Sequence, residues 1–240
     1  MTGLLEVRVT SAAAADEAAR GGADRVLLAR PGPGGDLGPW PEEVAQARQA
    51  TDCELRVLVR LREGYSTDGG EATRLRGLTW AYRQAGADGL VLGFLNGYGE
   101  VDSEVVAALT EEGDWPWSFD RAFDCALDRP RAWAALVGLP RLDTVLTAGS
   151  ARGLEQGLDQ LIEEVGQPGP AELAMAAGGL VAEQVPWLVR GGLRRFQVGD
   201  QPSADGVLAA DQVSAWRRLI DAEVDRAESR RGSTRSDRPA

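Results

Sequence analysis

Apolar and polar positions follow a beat that repeats eight times along the chain, a short apolar run and then a longer amphipathic stretch. Runs 4–9, 25–29, 54–60, 90–93, 115–119, 142–146, 172–176 and 195–198 read as strands. Between them, helices are expected from a Ser11 cap to Gly21-Gly22 and over 42–50, 71–85, 104–112, 130–137, 153–165 and 211–227, with one more opening at Gly178-Gly179 and ending at Arg190. The stretches 31–41 and 61–70 read as loops, and Asn96-Gly97-Tyr98-Gly99 as a turn. A parallel strand needs a helical crossover, and closing the sheet removes both edges, so eight such units predict an α/β fold, a single (β/α)8 TIM-type barrel. An open doubly wound sheet is the alternative. The barrel is expected to span 1–225. Residues 226–240 carry five arginines and no large apolar side chain, and read as a disordered tail.

One strand stands out. In Trp115-Pro116-Trp117-Ser118-Phe119-Asp120-Arg121-Ala122-Phe123-Asp124, the aromatic residues Trp115, Trp117 and Phe119 share one parity, while Ser118 and Asp120 take the other. The charges begin where the apolar run stops, at the carboxyl end of a strand, where barrels place their chemistry. The alternative for Arg121 is an ion pair that only pins the loop.

Composition removes whole mechanisms. The chain has 240 residues, 26 cationic residues that are all arginine, and no histidine. Schiff-base lysines, histidine bases, histidine-containing triads and imidazole-ligated metals are therefore excluded. The net charge of −11 argues against a nucleic-acid surface, and no run is apolar and long enough to span a membrane. Two cysteines, Cys53 and Cys125, without metal-knuckle spacing fit reduced thiols in a soluble cytoplasmic protein. Cys53, beginning the third strand, is expected to be structural.

Carboxylates and arginines remain. Glu6 and Arg8 share a face of the first strand, and Arg60 and Arg62 lie two apart at the end of the third, projecting together if the strand stays extended. A bound carboxylate or phosphate would relieve the repulsion between those guanidiniums, as would Glu6, Asp120 or Asp124 in an internal salt-bridge layer. The anion reading makes Arg60, Arg62 and Arg121 anchors, with Asp120, Asp124 or Glu6 as acid or base. Thr147 and Gly149, Gly178 and Gly179, Gly199 and Gln197 follow later strands, where backbone amides and short polar groups can cradle an anion. Glycines also simply turn corners. The tryptophans at 80, 133, 187 and 216 read as helix-to-barrel packing. A homo-oligomer stays open.

Several stretches together resemble the CutC copper-homeostasis family. They are Leu5-Glu6-Val7, Gly21-Gly22-Ala23-Asp24-Arg25-Val26, Arg60 and Arg62 with Gly64-Tyr65, and Gly86-Ala87-Asp88-Gly89-Leu90-Val91-Leu92-Gly93. Phe119 with Arg121-Ala122-Phe123-Asp124, Leu146-Thr147-Ala148-Gly149 and Gly178-Gly179 complete the set, which covers about residues 4–200. The resemblance implies a TIM-type barrel, a cytoplasmic location and an association with copper tolerance, copper being the implied cofactor. The chain departs from the family at its soft ligands. Leu27-Leu28-Ala29 stands where the family has an acid and a thiol, Asp120 replaces a histidine, and Gln197 aligns with another. Only Cys125 is expected near the mouth as a copper-type donor, so no metal ligand is assigned.

Overall fold

The computed structural model describes residues 3–110, 114–199 and 208–236, with side chains through Arg230. Eight parallel strands close into a barrel: β1 (Leu4–Val9), β2 (Arg25–Leu28), β5 (Glu54–Leu58), β6 (Gly89–Leu92), β7 (Trp117–Phe119), β8 (Leu142–Thr147), β9 (Ala174–Ala176) and β10 (Arg195–Val198). Closure is made by β1, which pairs with β10 through Glu6↔Gln197 on one side and with β2 through Glu6↔Arg25 on the other. The open-sheet alternative is thereby excluded.

Two remaining strands, β3 (Arg30–Gly32) and β4 (Gly35–Leu37), form an antiparallel ribbon inside the segment expected to be a plain loop. Gly35 turns the ribbon at φ +142, a backbone conformation that suits glycine even though the space at its Cβ position is open. The Gly34 amide donates to Glu63 Oε1 (2.8 Å), tying the ribbon to the loop after β5.

The outer layer holds α1 (Ala12–Arg20), α2 (Pro41–Ala50), α3 (Gly69–Gln84), α4 (Ser103–Thr110), α5 (Arg129–Leu136), α6 (Leu154–Val165), α7 (Pro170–Leu173), α8 (Val185–Gly191) and α9 (Ala210–Ser236). Short polar side chains fix several starts: Ser11 accepts from the Ala14 amide, Asp68 from Glu71 and Asp128 from Arg131.

Strand parity sorts the core into two parts. Outward residues such as Leu5, Val7, Val26, Leu55, Val57, Trp117 and Phe119 fill the space between sheet and helices. Inward, Leu27, Ala29, Leu58, Val91, Leu146, Met175 and Ala177 plug the barrel. Toward the amino-terminal ends of the strands lies a charged layer. There Arg25 meets Glu6 (2.6 Å), and Arg56 meets Glu54 and Asp143 (each 2.5 Å). Buried guanidiniums at 1–2% exposure need such partners, because an unpaired charge there would be heavily penalised.

The structure departs from the sequence reading at several elements. Residues 170–173 are the short helix α7, so the seventh barrel strand is only Ala174–Ala176. Gly178 and Gly179 do not open a helix; with φ +87 and +90 they form a turn before a 3-10 segment, Ala182–Gln184, and α8. The last helix runs to Ser236, through the segment expected to be a tail from 226 on. Trp133 is buried against Phe123, whereas Trp80 and Trp187 are exposed rather than packed. Residues 111–112 of the expected fourth helix and 237–240 of the expected tail lie outside the described residues. No helix among the described residues is long and apolar enough to cross a membrane.

Candidate functional site

A cavity of about 220 Å³ opens at the carboxyl end of the barrel. Leu27, Leu58, Val91 and Leu146 of the barrel plug face it, and Arg8, Asp36, Arg60, Tyr65, Asp120, Arg121 and Gln197 give it polar walls. Barrels carry their binding groups at this end, because the strands fix the bases of the loops that bear them.

Asp120 follows β7 and continues its inward parity. Its backbone amide donates to Leu92 O (2.9 Å), and its Oδ1 accepts from the Ala122 amide (2.8 Å), capping the 3-10 turn Arg121–Cys125. A side chain on Gly93 would place its Cβ 2.0 Å from Oδ1, so only glycine leaves room for this carboxylate. Oδ2 accepts from Arg60 Nη2 at 2.5 Å. Pairing with Arg60 favours the ionised form, but burial outweighs it and pushes the Asp120 carboxyl up.

Arg60 lies just past β5 and is nine-tenths buried. Its guanidinium lies over the Tyr65 ring at 4.6 Å, and Nη2 also donates to Gly93 O (3.2 Å). Its Nε is buried, with no hydrogen-bond partner among the described residues. The Tyr65 phenol is pushed up to about 12, first by burial and then by the Asp120 charge. Across the cavity, Arg8 of β1 forms a two-pronged ion pair with Asp36 of the ribbon, which brings the ribbon to the rim.

Arg121 enters from the turn after β7. Its Nε donates to Asp124 Oδ2 (2.9 Å) and its Nη2 to Ser150 O (3.2 Å). Asp124 has no exposed side-chain surface and four donors: Arg121 Nε, the Ala148 amide (2.9 Å), Thr147 Oγ1 (2.6 Å) and Arg129 Nη1 (3.0 Å). Arg129 in turn holds Glu164 of α6 at 2.7 Å.

Four expectations are corrected by this geometry. Asp124 is not placed as a base, because every lone-pair direction is taken by protein donors and no side-chain surface faces solvent. Glu6 is fully buried and belongs to the charged layer at the opposite end, and Gln197, which lines the cavity, donates to it at 2.6 Å. Arg62 does not pair with Arg60 on one face, because the strand stops at Leu58; Arg62 turns outward to Glu71 (2.8 Å). The Thr147 hydroxyl is used by Asp124, Arg129 and the Gly149 amide, behind the barrel wall, so Thr147 and Gly149 do not face the cavity. Gly178 lies against Arg121, and Gly179 has open space around it. Gly199 has open space as well, on the α9 side.

Residues that the sequence reading did not single out for the site are Tyr65, Asp36, Arg129 and Glu164. Arg8 and the glycine-flanked Asp36 carried a usable signal, an inward arginine on β1 facing a loop acid. Arg129 and Glu164 looked like ordinary helix-surface charges.

Copper-type donors do not gather here. The cavity offers Asp36 and Asp120, each engaged by an arginine, besides Tyr65 and Gln197. Among the described residues no three His, Cys, Asp or Glu side chains are arranged to hold a metal ion. Cys125 is exposed, and partial desolvation by its neighbours together with the Asp124 charge pushes the thiol up, away from the thiolate that soft metals prefer. Cys53 points Sγ at Ala23 O (3.2 Å), near the amino-terminal end of β5.

Comparison with known proteins places this architecture in a family. The chain is similar to a family protein CutC of Klebsiella pneumoniae (strain 342), at 33% identity over 196 residues, covering 80% of this chain and 77% of the relative. A family protein CutC of Xanthomonas campestris pv. campestris (strain B100) is 34% identical over 214 residues, covering 88% and 87%. Among solved structures, a CutC from Streptococcus agalactiae superimposes with a TM-score of 0.72 at 21% identity, over 82% of this chain and 98% of that one. The apo homocysteine methyltransferase MmuM of Escherichia coli gives 0.62 at 16% identity, over 90% and 96%, a likeness of fold alone. The CutC family model matches residues 3–199, from the strand that closes the barrel to the end of its last strand, and the chain belongs to the CutC family.

Proposed function

We propose that the barrel mouth binds a small oxyanion, a carboxylate or a phosphate, with Arg60 and Arg121 as its anchors and Asp120 as the group that exchanges a proton with it. One observation carries the reading. Arg60 and Arg121 line the same cavity, each is held by an aspartate through other nitrogens, and neither Nη1 has a partner among the described residues. Paired aspartates neutralise the cluster without using up its donors, so an incoming oxyanion gains directional, charge-assisted hydrogen bonds. Titration calorimetry with inorganic phosphate and a panel of small carboxylates tests it. Arg60→Ala is expected to weaken the best ligand by about tenfold or more. A panel without a binder, or binders indifferent to that substitution, overturns the reading.

Family membership favours a second reading, a part in copper homeostasis, since the Streptococcus agalactiae relative is provisionally described in those terms. For this chain the arginine-rich mouth, the lack of histidine and the single nearby thiol support a part that does not depend on a tightly held copper ion. Copper(I) titration against a competing chelator decides. Stoichiometric tight binding that survives Cys125→Ser would place copper itself at the site.

A further inference from the structure

Arg121 lies against a piece of bare backbone. A Cβ on Gly178 would stand 2.4 Å from its Cζ and 2.5 Å from Nε and Nη1, so the guanidinium occupies the space a side chain would take. The Gly178 peptide is fixed, with φ +87 and its carbonyl accepting from the Leu154 amide at the start of α6 (3.0 Å). On the other side, Asp124 holds Nε, and the Asp124 carboxylate is itself locked by the Ala148 amide, Thr147 and Arg129. An arginine side chain free in solution samples many rotamers, and fixing it beforehand removes that entropy from binding.

We propose that Gly178 and Asp124 are positioning residues that set Arg121 in advance at the barrel mouth, so that an oxyanion meets a ready-made donor. The inference rests on the anion reading of that mouth. Its distinctive claim is that Gly178 acts through Arg121, by the absence of a side chain.

Gly179 supplies the control. It has nearly the same positive φ, +90, but nothing lies within 4 Å of its Cβ position. Gly178→Ala and Gly179→Ala therefore carry similar backbone strain, and only the first meets the guanidinium. Two readouts are compared, the affinity for inorganic phosphate and the Arg121 Nε–H signal in a nitrogen–proton NMR spectrum, assigned by its loss in Arg121→Lys. Gly178→Ala is expected to shift or broaden that signal and to weaken phosphate about tenfold, while Gly179→Ala leaves both near wild type. If Gly178→Ala does not fold, thermal melting decides in the Arg121→Ala background, where Gly178→Ala should cost no more than Gly179→Ala because the clash is gone. Equal effects of the two alanines on the signal, or a Gly178→Ala penalty that persists without Arg121, overturn the proposal. A signal that responds only to Gly178→Ala in a protein that binds no phosphate supports the positioning and overturns the anion reading alone.

Discussion

Asp120 and Asp124 stand four positions apart and have opposite fates. Asp124 is surrounded by four donors, two of them arginines, and functions as the joint that fastens the turn after β7 to β8 and α6. Asp120 has two donors and a cavity in front of it, and burial raises its pKa despite Arg60. A raised folded-state pKa means the native protein binds its proton more tightly than the unfolded chain does. The stabilisation from that proton is full below the unfolded value of 3.8 and is lost as pH rises through the folded pKa. Urea midpoints of wild type and Asp120→Asn between about pH 3.5 and 7 should therefore show a wild-type advantage that shrinks as pH rises. An advantage that grows with pH would reverse the sign and make Asp120 an ordinary ion-paired carboxylate. The sequence already told these residues apart in one respect, since the parity of Trp117, Ser118, Phe119 and Asp120 separates barrel interior from helix-facing core. It offered Asp124 as an acid or base alongside Asp120, because the donors that take up its carboxylate, Ala148 and Thr147, come from the next strand and leave no local trace.

Elements meet here through glycines whose roles differ by position. Gly157 lies inside α6, and a Cβ on it would stand 2.0 Å from Ala148 O and 2.5 Å from Gly149 C, both backbone atoms that cannot swing away. The same contact explains Gly149, whose Cβ position is 2.0 Å from Gly157 O. The pair lets α6 sit directly on the end of β8, close enough for Glu164 to reach Arg129. Gly77 lies inside α3 with nothing within 4 Å of its Cβ position, on the solvent side. Two alanines in two helices should then have opposite signs. Gly77→Ala is expected to stabilise by about 0.5–1 kcal/mol, because a helix-interior glycine loses more entropy on folding. Gly157→Ala is expected to destabilise by about 1–3 kcal/mol by forcing the helix away. Equilibrium urea denaturation of both variants checks the pair, and a neutral Gly157→Ala would show that the α6 contact is slack. From the sequence both glycines are helix-interior blemishes. What separates them is a contact between Gly157 and Gly149, and an eightfold pattern of apolar runs places the helices without saying how close any one of them comes.

At the scale of the whole molecule, the barrel was legible because eight repeats of one pattern leave few alternatives, whereas the end of the chain was read only in part. The closing helix α9 does its packing early. Val213, Ile220 and Val224 are buried, Ser214 donates to Gly21 O (3.1 Å), and Arg217 clamps Asp24 (2.7 Å) and Gly3 O (2.8 Å). These contacts lock α9 to α1 and to the entry of β1, the strand that closes the barrel. Past Ala227 the helix continues to Ser236, yet Glu228, Ser229 and Arg230 are exposed. The sequence reading treated a segment with nothing to bury as a segment without structure. Backbone hydrogen bonds can carry a helix beyond its last packed turn, so the helix is longer than its energetic contribution. Truncation separates the two quantities. Ending the chain after Arg230 should leave the melting temperature within about 2 °C of wild type, because residues 231–240 include no large apolar side chain. Ending it after Leu219 removes Ile220 and Val224, on the order of 4 kcal/mol of apolar burial. At that cost the melting temperature should fall by about 10 °C for a chain of this size. A large loss from the first truncation would mean that the final turns of α9 contribute more stability than their composition accounts for.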